Sequence, residues 1–233
     1  MIWSKARFQH SFELLPRVLK EVAPALLPIS AIIWGLEFYV SYLNKARFDN
    51  PYGSSMKLMI FVGIFGVLFQ CFASVFASLF VARSTQRQMK NGVGESPWKF
   101  VVKHFHQCLI EYVRAFISVG IFSMLLIIPG IIRWVQLFFV TLVSAFDPDY
   151  QQGKKDVLQE SSRLVRGAWI PLFLLVVFTM IFPLILEEMA KEQGTPLALT
   201  VVMYLISWFI NLYFSIYFVL TFFARWSFKM EKA

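Results

Sequence analysis

The segment HFHQCLIE, His104 to Glu111, is the part of the chain best supplied with side chains able to do chemistry. On a helix His104, Cys108 and Glu111 stand at i, i+4 and i+7, hence on one side. An imidazole, a thiolate and a carboxylate at that spacing could hold zinc. The same residues flank an apolar stripe, where polar side chains belong in any case, so no metal is expected there. Other chemistries lack a partner. The three histidines, His10, His104 and His106, all fall outside the long apolar runs, which leaves serine–histidine chemistry at membrane depth without a base. There is no HExxH motif. Glu187 and Glu188 read as an acidic loop shared with Lys191 and Glu192. No catalytic residue, metal or cofactor is expected.

The elements that would position these groups are dominated by apolar runs. The 233 residues are 58% hydrophobic and 15% charged, with a mean hydropathy of +0.63, against about a quarter charged in a soluble domain. Six runs stand out, Val22–Leu43, Leu58–Ala82, Tyr112–Ile128, Ile131–Phe146, Trp169–Leu186 and Leu197–Ala224. A helix of ~20 residues crosses the hydrocarbon. The expected fold is therefore an all-α membrane protein, residues 1–233 forming a single integral domain of six transmembrane helices. The net charge of +8 sits beside apolar runs, which points to anionic lipid headgroups rather than nucleic acid. Cys71 and Cys108 read as reduced thiols, one at membrane depth and one at a surface.

The third and fourth runs are short. As one helix, Tyr112–Phe146 would be ~50 Å long, overshooting a core of ~30 Å and placing Arg133 near its middle. A turn at Pro129-Gly130 resolves this: proline disfavours helix at Ile128, and Gly130 can take a left-handed turn. Arg133 and Trp134 then sit at the outer surface. With both termini cytoplasmic, 17 basic residues lie inside and 5 outside, as the positive-inside rule requires.

A basic amphipathic stretch precedes each hairpin. Phe8, Phe12, Leu15, Leu19 and Val22 form the first stripe, Trp98, Val102, Phe105, Leu109 and Tyr112 the second, and Val157, Leu158, Leu164, Val165 and Ala168 the third. Such stretches, Phe8–Lys20, Trp98–Leu109 and Lys154–Arg166, are expected to lie as interfacial helices on the cytoplasmic face. Lys99, Lys103, Arg163 and Arg166 would meet anionic headgroups. The plan of surface helix, span, turn, span occurs three times, either as three helix-hairpin units or as the joints any membrane protein needs.

Polar residues inside the runs are few. Gln70 and Asn211 are expected to bond between helices, while Glu37, near the outer end of its run, is the residue a transporter would use. Ala73, Ala77, Ser74 and Ser78 have small-xxx-small spacing and make the second run the expected packing centre.

Pro129, Gly130, Ile131 and Arg133, then Leu158, Ser161, Leu164, Gly167 and Trp169, resemble the pattern of a family of bacterial multi-pass proteins. That family is related to the membrane domain found ahead of some glycerophosphoryl diester phosphodiesterases. The resemblance implies a six-span bundle in the cytoplasmic membrane and no active site. From the residues themselves, Leu158 and Leu164 would point into lipid or bundle, Ser161 would face a neighbouring helix, Gly167 would end the surface helix, and Trp169 would anchor the next span. Two functions follow from the whole: a non-enzymatic protein that organises lipids or partner proteins, a second copy of the chain included, or a transporter of a lipid-like or small apolar substrate. The topology predicts that a membrane-impermeant thiol reagent labels a cysteine at Gly194 from outside and spares one at Gly153; the reverse pattern would invert it.

Overall fold

A computed structural model describes residues 5–49, 55–166, 168–191 and 197–230. Among these every regular element is a helix: α1 (Lys5–Asp49), α2 (Ser55–Met89), α3 (Pro97–Leu125), α4 (Ile127–Gln136), α5 (Val140–Phe146), α6 (Pro148–Gln151), α7 (Val157–Val165), α8 (Trp169–Lys191) and α9 (Leu197–Met230). Five helices are long and apolar enough to cross a membrane, or up to six when the bent pair α7–α8 counts as one. The chain is a multi-pass helical membrane protein by length and composition.

Helix α2 packs against α1, α3, α5 and α9, and α8 packs on α9. Burial is concentrated at the end that carries most of the basic residues. On α1 the buried stripe is Ser11, Leu14, Val18, Val22 and Leu26; on α2 burial begins at Ala73 and includes Val75, Leu79, Phe80, Val81 and Ala82. The opposite half of these helices is apolar and open, with Ile32, Phe61, Ile64, Phe65 and Leu68 exposed, as side chains facing acyl chains should be. An ion pair between Arg87 and Glu21 ties α2 to α1 at the packed end. Asn91 and Gly92, both left-handed, then end α2, and the Arg87 guanidinium donates to the Gly92 carbonyl at 2.8 Å.

Three expectations are corrected. The first two amphipathic stretches are not separate surface helices: α1 runs unbroken through Pro16, Pro24 and Pro28, and α3 from Pro97 to Leu125. Only the third is its own element, α7, which meets α8 at 96°. The stripes also face differently. Phe8 and Phe12 are exposed, as are Trp98 and Val102, while the protein-facing side of α3 is Val101, His104, Cys108, Glu111 and Ala115. The stripe of α3 is thus divided: Trp98 and Val102 are exposed, while Phe105, Leu109 and Tyr112 pack partly against the core.

The second correction concerns the hairpin. The chain reverses at Leu126, whose backbone is extended (φ −158°, ψ 141°), and Pro129 and Gly130 lie in the first turn of α4. Proline is tolerated there because a first-turn N–H lacks an intrahelical acceptor. Gly130 is not left-handed; its N–H bonds to the Leu126 carbonyl at 3.2 Å. Its role is close approach: a Cβ at Gly130 would stand 2.1 Å from Ser123 Oγ and 2.7 Å from Ser123 Cα.

The third is that Arg133 and Trp134 are half-buried against neighbouring residues rather than standing free at a surface. Arg133 Nε donates to Ser118 Oγ at 3.1 Å, its Nη1 to Gln136 Oε1 at 3.4 Å, and its guanidinium lies 5.7 Å from the Phe122 ring centre. Trp134 packs against the core. Gly130→Ala is expected to destabilise the protein by about 1–3 kcal/mol through overpacking, seen as a lower melting temperature in detergent. Gly120→Ala, on the same hairpin with nothing within 4 Å, should be neutral, and equal shifts for the two would refute the close-approach role.

Candidate functional site: a cleft lined by amides and serines

Helices α2 and α9 each carry neutral polar residues at four-residue steps, Gln70, Ser74 and Ser78 on α2 and Ser207, Asn211 and Ser215 on α9. That step keeps each trio on one helix face. The fold turns the two faces toward each other. Between α1, α2 and α9 lies a cavity of about 300 Å³ lined by Ser30, Gln70, Ser74, Ser207, Asn211 and Ser215 together with Trp34, Ala73, Ala77 and Trp208. A second cavity of about 490 Å³ continues past Ser74, Ser78 and Ser215 to Tyr112, Trp134, Leu137 and Thr141. A third, about 530 Å³, shares Gln70 and runs along Ile33, Leu36, Gly63, Gly66 and Val67. Among the described residues no Asp, Glu, Lys, Arg or His lines any of the three.

Gln70 and Asn211 thus share a cavity, but among the described residues their side chains form no bond with each other or with a neighbour. Ser215 Oγ donates back to the Asn211 carbonyl at 2.8 Å. Ala73 is buried, and the small residues Ala73, Ser74 and Ala77 of α2 all line the central cavity, with Ser74 and Ser78 lining the second. Glu37 lies in α1 with its side chain outside the described residues, as does Gly167 entirely. The sequence reading missed Ser30, Trp34, Ser207, Trp208 and Ser215. The signal available was the matching four-residue ladder on α9.

The residues first suspected of chemistry have other partners. Ser144 Oγ lies 3.0 Å from the Thr141 carbonyl and 3.1 Å from Cys108 Sγ. The Tyr150 hydroxyl donates to Glu111 at 2.9 Å, and Arg114 bridges Glu111 and Asp156 at 3.4 and 2.8 Å. Burial, above all, pushes the Tyr150 hydroxyl above its ordinary range, so it stays a donor to Glu111. Lys155 pairs with Asp149, which raises the lysine's pKa by hydrogen bonding. His104 packs on the Phe100 ring, centres 4.6 Å apart.

Ser161 has a sharper role than facing a neighbour. Helix α4 stops at Gln136 and α5 starts at Val140, leaving Leu137 to Phe139 irregular and mostly buried. Ser161 Oγ donates to the Gln136 carbonyl at 2.8 Å and accepts from the Phe139 N–H at 3.2 Å. One hydroxyl closes both ends of the break. Leu158 and Leu164 of α7 are buried in the core beside it, and Trp169 opens α8 half-exposed. The basic residues Lys99, Lys103, Arg163 and Arg166 are all exposed.

Compared with protein-family models, curated proteins and solved structures, the chain matches none. Ser161→Ala would leave a buried N–H and carbonyl without partners, a loss of about 1–3 kcal/mol. Thermal unfolding in detergent should register it; an unchanged melting temperature would mean the break is satisfied without the hydroxyl.

Proposed function

We propose that the chain is a non-enzymatic protein of a bacterial cytoplasmic membrane, both termini in the cytoplasm, whose helical bundle organises lipid. The observation that carries this reading is the run of three adjoining cavities with apolar walls and a strip of amides and hydroxyls. Such groups hold and orient a hydrogen-bonding molecule; at neutral pH they do not transfer protons. The basic split between the two sides supports the orientation. The kinship with the bacterial family named above is part of this reading, and the junction built by Leu158, Ser161 and Leu164 supports it. A carrier of a lipid-like substrate is the second reading, favoured by the same cavities if their occupant exchanges between leaflets.

Native mass spectrometry of the gently solubilised protein should reveal lipid adducts that Ser215→Phe, which fills the cavities, removes without loss of folding. A lipid-free wild type would count against the reading. Scrambling of a labelled lipid in vesicles would move the assignment to a carrier. At the packed end, changing Lys99, Lys103, Arg163 and Arg166 to Gln should weaken binding to anionic vesicles, most at low salt, since each contributes on the order of 1 kcal/mol. Unaltered binding would assign that face to a protein partner.

A further inference from the structure

An unpartnered amide in hydrocarbon is several kcal/mol unfavourable. Gln70 and Asn211 line the central cleft from two helices, both exposed and with no side-chain bond among the described residues, so within a bilayer their amides face whatever molecule the cleft takes up. The filling must both donate and accept, because each amide does. It must also be uncharged. Only neutral groups line the cavity among the described residues, and a phosphate moved there would lose its hydration with no cation to replace it. The flanking cavities, about 490 and 530 Å³, extend from the polar strip along apolar walls and suit acyl chains.

We propose that the cleft between α1, α2 and α9 binds an uncharged glycerolipid of the diacylglycerol type, its hydroxyl and ester groups on Gln70 and Asn211 and its chains in the flanking cavities. This rests on the lipid-organising reading and names its ligand. The test uses the full chain in phosphatidylcholine vesicles with photoactivatable diacylglycerol, and in parallel with photoactivatable phosphatidylglycerol. Diacylglycerol should crosslink to α2 and α9 peptides, and Gln70→Leu with Asn211→Leu should reduce this about tenfold, the order expected for losing its hydrogen bonds. Gln70→Leu alone, checked for an unchanged melting temperature, guards against a folding defect. Equal cleft labelling by phosphatidylglycerol would overturn the uncharged ligand and leave lipid binding standing. Cleft labelling by neither probe would overturn both.

Discussion

Inside a bilayer no water is at hand to satisfy a polar group, so every amide, hydroxyl and charge at depth needs a protein partner or a ligand. The architecture follows from how that requirement is met. At the packed end it is met by protein: Ser161 closes the break between α4 and α5, Tyr150 and Arg114 hold Glu111, and Ser118 with Gln136 holds Arg133. Between α1, α2 and α9 the proposal is that lipid meets it.

The same requirement bears on the face of α3 that carries His104, Cys108 and Glu111. A soluble helix buries its apolar stripe, and Trp98, Val102, Phe105, Leu109 and Tyr112 look like such a stripe. Here Val102 is 76% exposed while Cys108 is fully buried and Glu111 nearly so. Lipid accepts an exposed apolar side chain such as Val102 at no loss, while Phe105, Leu109 and Tyr112 of the same stripe pack on the core. The zinc-like spacing of His104, Cys108 and Glu111 is a by-product: the face that must pack inward gathers polar residues, and each has found its own neighbour.

The helices were legible in the sequence because long apolar runs and charge bias carry them. Their joints were less so. Pro129-Gly130 signalled a reversal and one occurs, but three residues earlier at Leu126, because proline and glycine serve a helix start and a close contact as readily as a turn. The continuity of α1 across three prolines was not legible either; neighbouring packing decides whether a proline ends a membrane helix. For the site, Gln70, Ser74, Ser78 and Asn211 were picked out one by one. That they share a cavity depends on α2 and α9 lying side by side, and helix pairing is not written in the hydropathy of either helix.

The account stands on the polar cleft between α1, α2 and α9. A high-resolution structure of the protein in lipid nanodiscs tests it most directly. The account predicts acyl-chain density running from the flanking cavities to a head within hydrogen-bonding distance of Gln70 and Asn211. A collapsed cleft in which those two amides bond to each other would contradict it.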